Sequence, residues 1–242
     1  MCKDQVFKEQ IQKTADFKFG TAVANVFDDM VNRSVPFYGE IQRMMAELAA
    51  DYAAAGTDVY DLGCATGTTL IGMNTSIPED IRFIGIDDSP EMLNKCQSKL
   101  EEAGFKRPFE LRVADLNQQV EISNASVAVL CLTLQFIRPI KREKLLQSVF
   151  DGLNSGGALI LVEKILAENS RFNRDFIEYY YNYKRRNHYS EMEISQKREA
   201  LENILIPYKL SENIDLLRNT GFSNCEVFFK WYNFAGLIAV KQ

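Results

Sequence analysis

The sequence predicts an α/β fold: a seven-stranded, mostly parallel sheet that closes with an antiparallel C-terminal hairpin. Three observations carry this. From residue 58 on, short apolar runs alternate with helical patterns, which implies parallel strands joined by right-handed crossovers. The first run passes into a helix through a glycine turn, VYDLGCATGT at 59–68, of the kind that lets backbone approach a ligand. The last two runs, SNCEVFFKW and FAGLIAVK, fit an antiparallel hairpin at the sheet's edge.

The elements follow in order. TDVYDLG is the first strand and IRFIGID the second. FELRVAD alternates and is the third; SVAVLCLTL reads as buried on both faces; ALILVEK is the fifth. Between them, SPEMLNKCQSKLEEAG and REKLLQSVFDGL have helical spacing. Ser89 is the expected N-cap, with Pro90 at the first helical position and Met92, Leu93 and Cys96 on the apolar face. Gly104 ends that helix. Asn154-Ser155-Gly156-Gly157 reads as a turn into the fifth strand. Residues 1–57 form a helical extension, with VANVFDDMV and IQRMMAELAADYAAAG as its helices. Residues 58–164 are a Rossmann-like nucleotide-binding core, 165–209 a charged and aromatic helical cap insertion, and 210–242 a closing helix and hairpin. The whole of 1–242 is expected to be one domain.

With 46% apolar residues and a net charge of −5, the chain is a poor candidate for non-specific nucleic-acid binding, which needs clustered positive charge. Lys184-Arg185-Arg186 is the local exception and reads as a solvated helix face. The five cysteines are odd in number, without metal or redox spacing. They fit a reducing cytoplasm and no bound metal. The N-terminus, MCKDQVFKEQIQK, lacks the apolar core of a signal peptide, and no run approaches a membrane span.

Ligands of doubly wound sheets bind beyond the carboxyl ends of the strands. Asp61, Gly63 and Gly67 lie there after strand one, Asp87 after strand two, Asp115 after strand three and Cys131 to Gln135 after strand four. A carboxylate ending strand two is placed to accept hydrogen bonds from both ribose hydroxyls of a nucleoside. The turn lacks G-x-G-x-x-G. The pattern over 58–164 and the closing hairpin resembles class I S-adenosylmethionine-dependent methyltransferases. That resemblance implies S-adenosylmethionine as cofactor. Gly63, Cys64 and Ala65 would lie against its methionine part, Asp87 at the ribose, Asp88 beside the adenine, and Asp115 and Leu116 at the adenine amino edge.

Three further stretches, VFDDMVNRSVPFY at 26–38, LTLQF at 132–136 and YKRRNHYSEMEISQKREALENIL at 183–205, resemble the carboxy-S-adenosylmethionine synthase family over nearly the full length. The resemblance implies conversion of S-adenosylmethionine and prephenate to carboxy-S-adenosylmethionine and phenylpyruvate. A second enzyme would use the product on a tRNA wobble uridine, so this chain need not bind RNA. A homodimer is implied as well. Tyr38 and Cys131 fall on cofactor-contacting positions. Arg198 falls where a guanidinium would grip the product's carboxylate, a planar bidentate match that stays charged when desolvated. On the residues alone, Arg198 reads instead as a surface residue paired with Glu202. Arg33, Tyr189 and Lys197 are further candidates for prephenate.

The chemistry suits a site that positions two small molecules and excludes water, without an acid–base dyad. His188, the sole histidine, stands where the family has glycine and is expected to face solvent. Three departures stand out: Ala65 for serine, with Thr66 and Thr68 as the nearest hydroxyls, Asp88 for asparagine, and Cys131 for asparagine. Two readings stay open beside the synthase: a small-molecule methyltransferase, and a non-catalytic carrier or sensor. Phe176, Tyr179, Tyr180 and Tyr183 share a helical face suited to cap packing or a subunit interface.

Overall fold

The computed structural model describes residues 3–8 and 19–242. Its sheet contains β1 (Asp58–Leu62), β2 (Arg82–Asp87), β3 (Phe109–Val113), β4 (Ala125–Cys131), β5 (Leu153–Lys164), β6 (Asn224–Trp231) and β7 (Phe234–Val240). The order across the sheet is β3-β2-β1-β4-β5-β7-β6. All neighbours are parallel except β7, which runs antiparallel to both β5 and β6. The chain order reverses between β1 and β4, the switch point at which such sheets open a crevice.

Helices are α1 (Thr21–Ala24), α2 (Phe27–Ser34), α3 (Tyr38–Tyr52), α4 (Thr68–Asn74), α5 (Pro90–Glu102), α6 (Pro139–Gly152), α7 (Ser170–Arg186), α8 (Glu191–Leu201) and α9 (Leu210–Asn219). The strand pleat sends alternate residues to two cores. From β4, Val127 and Val129 join Ile41, Met45, Leu70 and Phe83 on one face. Ala128 and Leu130 join Ile84, Leu145, Leu146 and Leu217 on the other. Burial on both faces explains why β4 is apolar on both sides, with Ser126 its one polar residue.

Local signals are mostly realised. The Ser89 hydroxyl accepts from the Met92 amide at 3.1 Å, with Pro90 opening α5. Gly104 stops that helix in the left-handed region, φ +66°. The glycines before ALILVEK behave differently. β5 begins at Leu153, which pairs with Ala125, and the register then slips so that Val127 faces Ala158. Asn154 to Gly157 are therefore a bulge inside a long strand rather than a turn before it.

The extension folds back over the glycine turn. The Asp28 carboxylate of α2 pairs with Lys99 of α5 at 2.7 Å and accepts from the hydroxyls of Thr66 and Thr68. Cys2 and residues 9–18 of the extension lie outside the described residues. The cap, α7 and α8, covers the C-terminal edge of the sheet. The buried Arg142 guanidinium donates to the carbonyls of Gln135, Ile137 and Ile206, tying α6 and the short turn Leu134–Phe136 to the chain leaving α8.

The aromatic face of α7 divides in two. Tyr180 is buried against Phe234, and Tyr183 donates to the Val35 carbonyl. Tyr179 is exposed and, with Phe176, packs on Tyr232.

Candidate active site

A cavity of about 820 Å³ opens beyond the carboxyl ends of β1 to β4 and runs beneath the cap. Tyr38, Gly63, Cys64, Ala65, Asp87, Asp88, Asp115, Leu116, Cys131 and Arg198, picked out from the sequence, all line it.

The glycine turn is set by close packing. Gly63 has φ +81°, and a Cβ there would lie 2.4 Å from Thr133 Oγ1 and 2.5 Å from its Cγ2. The amides of Gly63 and Cys64 both donate to the Ile86 carbonyl, pinning the turn to β2. Replacing Gly63 by alanine combines a left-handed backbone with a hard contact and should cost about 2–4 kcal/mol, readable as a fall in urea midpoint. Thr133→Ala added to it should recover part of that loss by removing the contact.

Asp87 organises the next corner. One oxygen accepts from the Ala65 amide at 2.9 Å and the other from the Ser89 amide at 3.0 Å. Burial pushes its carboxyl upward, opposed by those two amides. Ala65 sits at φ +45°, a strained value that this carboxylate helps to hold. Asp61 is fully enclosed, and its Oδ2 has no hydrogen-bond partner among the described residues. Burial, and then the charge of Asp87, raise it to about 8. Asp61 does not line the cavity, so this enclosed carboxyl lies behind the turn rather than in the site. Asp115 accepts from the amide and side chain of Asn117, bonds that outweigh burial and keep it low. Asp88 is raised by burial and by the charge of Asp115. Thr66 and Thr68 do not stand in for the missing serine, because both hydroxyls are committed to Asp28.

At the end of β4, burial holds the Cys131 thiol protonated, assisted by the charges of Asp61 and Glu163. The Gln42 amide donates to its sulfur at 3.8 Å. Buried Glu163, raised to about 8 by burial, accepts from the amides of Leu134 and Gln135 and so shapes LTLQF.

The opposite wall is basic. Lys164, Lys184, Lys197 and Arg198 all line the cavity. This corrects the reading of Lys184 as solvated: it is 5% exposed and points inward. Of its neighbours, Arg185 pairs with Glu178 and Glu191 on the surface, and Arg186 is exposed. Arg198 stands exposed at the rim, and among the described residues it forms no ion pair, with Glu202 or any other group. Of the further candidates only Lys197 reaches the cavity. Arg33 donates to the carbonyls of Asp4, Asn187 and His188, pairs with Asp29 and covers the Tyr189 ring, so it is a clamp between α2 and the cap. Tyr189 donates to Asp4 behind the lysines. His188 is exposed at φ +65°, a backbone that explains why glycine suits this position.

Lys164 and Lys184 are the site residues that sequence reasoning missed. A signal existed for each: Lys164 follows closely on the apolar run ALILV, and Lys184 lies one helical turn after Tyr180.

Burial lowers Lys164 and Lys197 to about 8, from an ordinary value near 10.5. Between those values the folded chain binds fewer protons than the unfolded one, so stability rises with pH across that window. Urea denaturation of the ligand-free protein should show this rise from pH 8 toward 10, and Lys197→Met should flatten it.

Among the described residues, no group of three or more His, Cys, Asp or Glu could hold a metal ion. No described helix is long and apolar enough to cross a membrane.

The strand order, the glycine turn and the carboxylates ending β2 and β3 define a class I S-adenosylmethionine-dependent methyltransferase fold. A methyltransferase-domain family model matches residues 59–157. Solved structures with this fold include the YcgJ protein of Bacillus subtilis, at TM-score 0.63 and 13% identity over 85% of this chain and 99% of that one. Another is a putative S-adenosyl-L-methionine-dependent methyltransferase of Methanococcus maripaludis, at TM-score 0.61 and 16% identity over 96% and 97%. The carboxy-S-adenosyl-L-methionine synthase of Methylococcus capsulatus is 54% identical over the full length of both chains. That of Sulfurimonas denitrificans is 44% identical over 98% of this chain and 99% of its own. The chain belongs to the carboxy-S-adenosyl-L-methionine synthase family.

Proposed function

We propose that this enzyme converts S-adenosylmethionine and prephenate to carboxy-S-adenosylmethionine, phenylpyruvate and water, the ring hydroxyl of prephenate leaving with the proton that the methyl carbon gives up as the carboxyl is joined to it. The observation that carries the reading is the division of one cavity by charge. Asp87, Asp88 and Asp115 form an acidic wall at β2 and β3, and Lys164, Lys184, Lys197 and Arg198 form a basic wall under the cap. A plain methyl transfer needs only the first wall. Joining a carboxyl group to the cofactor also needs fixed cations, and a sheltered cavity strengthens them.

When bound, S-adenosylmethionine supplies a methyl carbon acidified by its sulfonium. The chain's part is placement. Asp87 takes the ribose hydroxyls, Asp88, Asp115 and Leu116 frame the adenine, and Tyr38, Gly63, Cys64, Ala65 and Cys131 close around the methionine arm. Arg198 takes the carboxylate that is carried over. The cap limits water, so the carboxyl is captured rather than lost. The departures at Ala65 and Cys131 leave the backbone contacts in place. The product would supply the carboxymethyl group of a tRNA wobble uridine through a second enzyme, in the cytoplasm. The protein would act as a homodimer without touching RNA.

The test is mass spectrometry of small molecules released by denaturing freshly purified protein. The reading predicts a nucleoside heavier than S-adenosylmethionine by one carbon dioxide. Release of S-adenosylhomocysteine alone, from protein that also leaves prephenate unchanged, would refute it.

A further inference from the structure

Lys184 and Lys197 are 5% and 6% exposed, and Lys164 is half-buried. Their ammonium groups gather on two tyrosine faces. Lys164 and Lys184 lie 4.9 and 5.1 Å from the Tyr180 ring centre. Lys184 and Lys197 lie 5.8 and 5.6 Å from that of Tyr189. Among the described residues none of the three forms an ion pair. The nearby carboxylates have other partners: Asp4 accepts from Tyr189 at 2.7 Å, and Glu193 accepts from Ser190. Removing an ammonium from water costs several kcal/mol when nothing compensates it, and tyrosine faces return only a fraction. A cluster of such groups opening into one cavity is a basic surface that a bound anion would compensate.

The acidic wall draws the nucleoside to the opposite side of the cavity. The donor of the carboxyl has a requirement of its own. The carboxyl it gives up passes toward Arg198, and any carboxylate it keeps needs a separate cation throughout. Tyr180, Tyr181 and Phe234 line the same region and offer flat apolar surface.

We infer that Lys164, Lys184 and Lys197 are positioning residues for the carboxyl donor, holding the carboxylate that stays on it while Tyr180, Tyr181 and Phe234 offer a surface for its body. This rests on the reading that the site joins S-adenosylmethionine to a carboxyl donor. Affinity should fall as pH rises through about 8, where Lys164 and Lys197 lose their protons. Burial, and then the charges of Lys197 and Lys164, hold Lys184 well below the ordinary lysine value, opposed by Asp4, so its proton is the first to go and an arriving carboxylate would restore it. Asp4 and Glu193 favour the charged form of Lys197 and Arg33 opposes it, while Tyr180, Tyr189 and Arg198 complete the surroundings.

The experiment is calorimetric titration of prephenate into protein saturated with S-adenosylhomocysteine, which has no methyl group to carboxylate. Wild type is compared with Lys184→Gln, Lys197→Gln, the rim variant Lys164→Gln in case a buried variant fails to fold, and Arg186→Gln as a surface control. The expected result is at least a thirtyfold loss of prephenate affinity in the lysine variants, with S-adenosylmethionine affinity within threefold and the control unchanged. The inference is overturned if the folded variants bind prephenate within threefold of wild type. It is equally overturned if they lose S-adenosylmethionine to the same degree, which would make the cluster a cofactor site. If wild type ignores prephenate, the proposed function fails separately. Phenylsuccinate and malonate then serve as probes: a dicarboxylate that binds wild type and not the variants keeps the inference, and no binding by either removes it.

Discussion

Replacing Arg198 by alanine should slow formation of carboxy-S-adenosylmethionine by roughly a hundredfold, with S-adenosylmethionine affinity changed only a few-fold. A bidentate guanidinium–carboxylate pair is worth about 3 kcal/mol once water is excluded, which is two factors of ten in rate. Arg198 has no competing ion pair among the described residues, so its whole fork is available. Arg198→Lys keeps the charge and loses the planar match, and should recover about a tenth of wild-type activity. The telling readout is the ratio of products. If Arg198 holds the carboxyl in transit, its loss should raise phenylpyruvate relative to carboxylated nucleoside, because carbon dioxide then escapes. A structural role for Arg198 would lower both together.

Asp87→Ala is expected to weaken S-adenosylmethionine binding by about a hundredfold while barely lowering the melting temperature of the ligand-free protein. The two halves have separate causes. The carboxylate aligns the glycine turn through the amides of Ala65 and Ser89, and it also faces the cavity where ribose hydroxyls would arrive. Removing it costs charge-assisted hydrogen bonds on both sides of the ligand, together about 3 kcal/mol. In the ligand-free state its burial is already unfavourable, as its raised pKa shows, and losing the charge offsets the lost amide bonds. Asp87→Asn keeps one acceptor and should fall between. Fluorescence titration and a thermal melt decide it; a large fall in melting temperature with unchanged affinity would make Asp87 a structural residue only.

The parts of this site written in local sequence were legible. Gly63, Asp87 and Asp115 follow from strand ends and turn chemistry, because a strand's carboxyl end and a left-handed glycine are set within a few residues. Arg198 was reached through the resemblance of SQKREALEN, since on spacing alone it looked paired with Glu202. What stayed hidden depends on contacts distant in sequence. Lys184 sits in a run of three basic residues that looks solvated, and only its packing over the Tyr180 and Tyr189 rings shows it buried. Arg33 and Tyr189 looked like substrate ligands, but their partners include Asp4, 185 residues before Tyr189 in hydrogen-bond separation. The bulge at Asn154 to Gly157 was hidden for a related reason: glycines in a row signal a turn, and only pairing with β4 shows the strand continuing through them.

The central claim is that one cavity places a carboxyl donor against the methyl group of S-adenosylmethionine. Its most direct test supplies the purified protein with S-adenosylmethionine and prephenate labelled with carbon-13 in the ring carboxyl, and follows the label by mass spectrometry. The account predicts labelled carboxy-S-adenosylmethionine together with an equal amount of phenylpyruvate. Label recovered only as carbon dioxide, or a methylated acceptor appearing with S-adenosylhomocysteine, would contradict it.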